Sequence, residues 1–273
     1  MNCYGTLAAV KRILGETSTD NDADILQCLM AASRRVDGPY GANRFFYSSE
    51  ATLYFGVQDR WESEVIIPDV LAVSEVTEDI DGDGTFSRTW TEGTHFSLSP
   101  DGGYPKLGIA ALPWGDYAFS SKGKRDIKVV GTWGFGDGVD GDPWKSSSTT
   151  GTVADSAGTT FTLSVSDGLE AGQTIKIGTE QIFIESVSGT SATVRRAVNG
   201  TTGAAHTAAA ISTALYPEDV IRTAQWLAGE AWKHSKFAGL KSHRIGDFSE
   251  AFEATPTVQI QNMIGRVRKV VMP

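Results

Sequence analysis

Apolar positions follow two rhythms along the chain. Leu7, Val10, Ile13 and Leu14 recur at helical spacing behind Thr6, a good N-cap, and stop at Gly15. A turn at 17–22 leads into a second helix with Asp20 and Asp22 near its positive end. Ile25, Leu29, Ala32 and Val36 share one face of it, Leu26 and Cys28 flank that face, and Gly38-Pro39 ends the helix behind Arg34 and Arg35. From residue 52 to 133 the period drops to two. Strands are expected over 52–57, 64–67, 70–78, 85–90, 95–99, 106–110 and 126–133, joined by Gly/Asp turns into an antiparallel sheet or small barrel. Residues 134–148 read as a loop rich in glycine, aspartate and serine.

Between about 146 and 213 the composition shifts to Thr, Ser, Ala and Gly. Short β runs at 161–163, 174–177, 181–187 and 192–196, with a tight-turn signal at Asn199-Gly200, read as a separate all-β module inserted into the host domain. Helical spacing returns at Pro217-Glu218-Asp219, with Val220, Ala224, Leu227, Ala228 and Ala231 as the buried stripe. A last helix runs through Val258, Ile260 or Gln261, Ile264 and Val267. The expected fold class is α+β: N- and C-terminal helices forming a helical bundle with an antiparallel β domain, plus the inserted all-β module. The expected domains are 1–145, the insert 146–215, and 216–273, whose helices and tail complete the first.

Composition narrows the function classes. The 273 residues are 40% apolar and 21% charged, enough to build a core without staples, and two cysteines allow at most one bridge. No run of eighteen apolar residues marks a membrane span, and Lys11 and Arg12 interrupt the start before an export signal can form. Synthesis in a reducing cytosol is the expectation. With 24 basic against 33 acidic residues the net charge is −9, so the chain as a whole repels a polyanion rather than gripping one.

The chemical motifs are sparse. Asp79, Asp81 and Asp83 follow the start of a calcium-loop template, but its twelfth position is Trp90 where a bidentate carboxylate is needed. A tight hairpin turn is the reading preferred to a weak cation site. Gly136-x-Gly138-x-x-Gly141 matches a dinucleotide fingerprint, yet Asp142-Pro143 cannot open the helix that would hold a pyrophosphate, and Asp137, Asp140 and Asp142 would repel one. The four histidines are scattered, and neither a Cys-x-x-Cys pair nor a nucleophile elbow is present. Cys28 reads as a packed small hydrophobe. No catalytic constellation, cofactor site or firm metal site is expected. The C-terminus is basic: Arg266, Arg268 and Lys269 precede Val270-Val271-Met272-Pro273. It reads either as a helix end complementing its dipole or as a docking tail.

The run Tyr4-Gly5-Thr6-Leu7-Ala8-Ala9-Val10-Lys11-Arg12-Ile13-Leu14-Gly15, then Ser18-Thr19-Asp20 and Ala31-Ala32-Ser33-Arg34-Arg35-Val36-Asp37, resembles the N-terminus of tailed-phage head–tail connector (adaptor) proteins. Asn43-Arg44-Phe45, the turn Asp81–Phe86 running to Thr89-Trp90, and Val130-Gly131-Thr132-Trp133-Gly134-Phe135-Gly136 leading into Pro217-Glu218-Asp219-Val220 follow in the same order. The resemblance covers 1–145 and 216–273. The insert, through Leu169-Glu170-Ala171-Gly172 and Val198-Asn199-Gly200-Thr201, is similar to small β modules of phage structural proteins, and projection outward from a ring is expected of it.

The resemblance implies a non-enzymatic ring of twelve copies in the neck of a virion, made in the host bacterial cytoplasm. The ring would contact the portal protein above and a stopper or tail-terminator protein below, and pass double-stranded DNA without specific binding; no cofactor and no membrane are involved. Its wall would be built by the helices carrying Leu26, Leu29, Val36, Val220, Leu227 and Trp232. The portal-docking tail would comprise Ile264, Arg266, Val267, Arg268, Lys269, Val270 and Val271. The alternative expectation is a tail or baseplate component whose β-insert binds host-surface glycan, although Phe161 and Phe183 are the only aromatics between 146 and 213.

Overall fold

A computed structural model describes residues 2–57, 63–113, 118–119, 125–139, 141–165, 168–236, 242–245, 248–251 and 258–269. The chain divides into two compact units, Phe46–Pro143 and a second formed by Met1–Phe45 together with Trp144–Pro273.

The unit Phe46–Pro143 is a sheet. β1 (Ser49–Phe55), β6 (Ile127–Trp133), β2 (Glu64–Glu78), β5 (Lys106–Ala111) and β4 (Phe96–Ser99) are neighbours in that order, and β3 (Arg88–Trp90) pairs with one end of β2. Every ladder is antiparallel. The strands expected over 64–67 and 70–78 are one strand of 15 residues, which crosses Pro68 through a register shift between Ile66 and Val70. The strand expected over 85–90 is shortened to Arg88–Trp90. Alternation in β6 buries Ile127, Val129 and Trp133, and the Trp133 indole donates to the Ala51 carbonyl (2.9 Å).

In the other unit, α1 (Leu7–Leu14) is N-capped by Thr6, whose side chain accepts from the Ala9 amide, and ends at Gly15 in the left-handed region (φ 66°). α2 (Asp22–Asp37) and α3 (Glu218–Lys236) pack together and α1 lies on both. The short α4 (Val258–Val267) packs on α3, and β13 (Ser242–Ile245) pairs with β14 (Phe248–Ala251). The rest is a closed antiparallel barrel in the order β10 (Glu180–Ser188), β11 (Ser191–Arg195), β8 (Thr160–Leu163), β7 (Trp144–Val153), β12 (His206–Ala214) and β9 (Thr174–Ile177), with β9 returning to β10. Phe161, Ile175, Ile182, Ile184, Val194 and Ile211 fill it. Gly151 is required because any Cβ there would run into the Phe161 ring.

The expected helical bundle with a β domain is therefore incorrect. The protein is mostly β, with fourteen strands and four helices among the described residues. The cause lies in β7 and β12. Residues 144–148 were expected to be loop, and neither strand was expected. Both are built from Ser, Thr, Ala and Gly with few large apolar residues, yet they pair along most of their length and close the barrel.

Candidate functional site

The acidic turn is a closed structure. Asp79 is buried, and its carboxylate accepts from the amides of Asp81 (3.2 Å), Gly82 (2.8 Å) and Gly84 (2.7 Å). Burial alone would raise the acid's pKa, but the amides of Gly84, Gly82, Asp81 and Asp83 outweigh it and hold the carboxyl below its usual range. Asp83 in turn accepts from the Thr85 amide (2.7 Å). Asp79 and Asp83 thus organise a turn, and among the described residues no group of three acids, histidines or cysteines is placed to hold a metal.

The glycine-rich loop is likewise committed to packing. Gly136 donates its amide to the Phe46 carbonyl (3.0 Å), and Gly134 donates to that of Asp69 (2.8 Å). A Cβ on Gly141 would press on the Leu71 carbonyl. Asp137 accepts from the Val139 amide (3.0 Å); Asp140 lies outside the described residues.

The residues expected to build a ring wall occupy the chain's own core. Leu26, Leu29 and Val36 of α2 and Val220, Leu227 and Trp232 of α3 are all buried. They hold the helices together within the chain. The C-terminal segment folds back on its own unit. Arg266 lies 3.7 Å from Asp219 at the start of α3 and is itself exposed. Arg268 donates to the Pro39 carbonyl (3.2 Å), and the Lys269 amide donates to that of Ala42 (2.7 Å). Ile264 and Val267 are half-buried; Val270 and Val271 lie outside the described residues.

Two buried polar clusters were not foreseen. At the N-terminus, Asn2 donates to Asn199 (2.8 Å) and accepts from Thr174 (2.8 Å), while the Leu7 amide donates to the Ala171 carbonyl (2.9 Å). The Tyr4 amide donates to Ser33 Oγ (2.9 Å), its hydroxyl donates to Asp37 (2.6 Å), and its ring meets Tyr216 edge-on at 4.8 Å. Arg34 lies 3.1 Å from the other Asp37 oxygen. Burial raises the Asp37 pKa to about 6, against the opposing pull of Arg34 and the Tyr4 hydroxyl. The chain matches no protein-family model and no curated protein. Cys3, beside this cluster, has its thiol pushed up to about 12 by burial, which makes it an unreactive packing residue.

The second cluster centres on Glu180, 1% exposed. Arg196 donates to it through Nε and Nη2 (both 2.7 Å), the amides of Ala197 and Ala204 donate at 3.1 Å, and His206 Nε2 lies 2.8 Å away. Arg196 also reaches the carbonyls of Asp155 (3.0 Å), Gly158 (3.3 Å) and Ala204. Burial works against ionisation of Glu180, but these donors prevail and lower its pKa. One carboxylate thereby joins three loops at one end of the barrel. An acid two residues before the apolar run 182–184, with Arg196 and His206 farther along a module poor in charge, was its only trace in the sequence.

Proposed function

We propose that this chain is a structural head–tail connector (adaptor) of a tailed bacteriophage, one copy of a ring below the portal that lets DNA pass and offers an attachment surface to a stopper or tail protein. The observation that carries this reading is that two of the segments bearing the resemblance, Tyr4–Gly15 and Ala31–Asp37, hold each other. Tyr4, from the opening run, bonds to both Ser33 and Asp37 of the Ala31–Asp37 segment, and Arg34 lies over its ring at 5.4 Å. The turn Asp81–Phe86, a further segment of the resemblance, is fixed from Asp79, whose carboxylate accepts from the Gly82 and Gly84 amides. Residues that shape the chain in this way are those a family's sequence pattern would retain. A net charge of −9 suits a channel through which a polyanion must slide without sticking.

The glycan-binding alternative loses its chemistry. Phe161 is fully buried inside the barrel, and Phe183, equally buried, lies outside that core beside the groove lined by α1 and α2; neither ring is exposed for a sugar to stack on. The test is negative-stain imaging and mass photometry of the purified protein, alone and with portal rings from the same phage. Annular particles that seat on the portal are expected; a chain that stays monomeric and ignores the portal would refute the connector reading.

A further inference from the structure

A groove of about 1120 Å³ runs between α1, the first half of α2 and the β10–β11 hairpin. Leu7, Leu26, Met30 and Val187 give it an apolar lining. Its charged residues are five acids (Glu16, Asp20, Asp22, Glu170 and Glu185) against three bases (Lys11, Arg12 and Arg195). The pairs Lys11–Asp22 (2.5 Å) and Arg195–Glu185 (2.6 Å) neutralise two of the acids, and the excess of negative charge remains.

The other flank of α1 carries the opposite feature. Ile13 (44% exposed) and Trp226 of α3 (43% exposed) are large apolar side chains left in solvent. They belong to one patch, because Gly229, three residues on from Trp226, lies directly beneath Ile13 and Leu14. Exposed Arg222, one turn before Trp226, gives the patch a positive charge, while Glu230 and Lys233 lie 3.9 Å apart and offset each other. At 3.6 residues per turn, Ile13 points about 170° away from the mean direction of Leu7, Ala8, Lys11 and Arg12, the α1 residues that line the groove.

Resting on the ring reading above, we infer that the Trp226–Ile13 patch of one copy docks into the α1–α2–barrel groove of the next. Knob and socket sit on opposite flanks of the same helix, so the contact is heterologous. Each copy gives one and receives one, the arrangement that closes rings. The charges agree in sign, Arg222 beside the knob and an acidic excess around the socket. A tryptophan entering an apolar-lined socket is the type of residue that dominates interface energetics.

The test uses full-length protein and two variants, Trp226→Ala, which removes the knob, and Met30→Arg, which obstructs the socket and repels Arg222. The wild type should form closed oligomers by mass photometry and each variant alone should be monomeric. Mixed together they should give a heterodimer and nothing larger, since only one productive knob–socket pair remains. Each variant is first shown to keep the wild-type circular dichroism spectrum and a cooperative melt, so that a failure to pair reports on the contact and not on folding. If wild type assembles and Trp226→Ala assembles equally well, or if the two monomeric variants ignore each other, the knob-and-socket contact is wrong while the ring stands. A wild type that stays monomeric even on portal rings removes both.

Discussion

The hairpin turn at 79–84 and the closed end of the barrel solve one physical problem by different means. Each buries a carboxylate, and each holds it ionised below its ordinary pKa. Asp79 is satisfied by amides two to five residues ahead of it, so the turn is a local structure. Glu180 is satisfied by groups 16 to 26 residues away, so its site exists only when the barrel is closed. A local cap forms with its turn, whereas the Glu180 cluster makes three loops depend on one side chain.

The largest expected effect follows from that dependence. Glu180→Ala leaves Arg196, 6% exposed in its side chain, as a buried cation without its carboxylate. The loss should be about 3–5 kcal/mol in urea unfolding. Replacing Arg196 with Met in the same background should recover part of it, because the uncompensated charge is then gone. Protonation acts in the same direction. With the folded pKa of Glu180 lowered, its stabilisation is present above the ordinary value near 4.5 and is lost as pH falls through the lowered one. Glu180→Gln should remove that acid sensitivity. A barrel equally stable with Ala at 180 would show that the cluster is not what closes it.

Asp37 titrates with the opposite sign and a smaller amplitude. Its folded pKa of about 6 lies above the ordinary 3.8, so the folded state holds the proton more tightly. Stability should therefore fall as pH rises from about 4 to about 6, by about 3 kcal/mol at most, and stay down above that. Asp37→Asn should flatten this part of the profile in thermal melts at a series of pH values and leave the Glu180 limb below pH 4.5 untouched.

The same contrast between local and distant partners explains which parts of the fold were legible in the sequence. Helices α1 to α3 and the strands of Phe46–Pro143 carry large apolar residues at regular spacing, and their caps and turns are set by neighbours a few residues away. The Asp79 turn was readable for that reason. β7 and β12 were not, because Trp144, Val153 and Ile211 are their only large apolar residues and the rest of their fit comes from pairing with each other. Nor were the clusters at Asn2 and Glu180, whose partners come together only through tertiary closure. Leu29, Val36, Val220 and Leu227 were correctly read as members of apolar stripes, whereas Ala231, read with them, is exposed and Trp232 takes the buried position beside it. Periodicity marks a buried face without saying whether the chain itself or a neighbouring copy buries it.

The smallest expected effect is at Asp79, and it sharpens the contrast most. Asp79→Ala removes the acceptor of three amides at once, but those of Gly82 and Gly84 sit at the solvent-facing end of a hairpin where water can replace the lost partner. The damage should stay local. Hydrogen exchange at Gly82 and Gly84 should accelerate, while amides of β6 and of the barrel keep their protection. Asp79→Asn, which keeps an acceptor oxygen, should restore much of the slow exchange. Adding calcium to the wild type should change none of these rates, because both Asp79 oxygens already accept from backbone amides and no group of three ligands is placed to hold a metal among the described residues. Slowed exchange on calcium addition, or barrel amides loosened by Asp79→Ala, would show that the turn is not the self-contained element its hydrogen bonds describe.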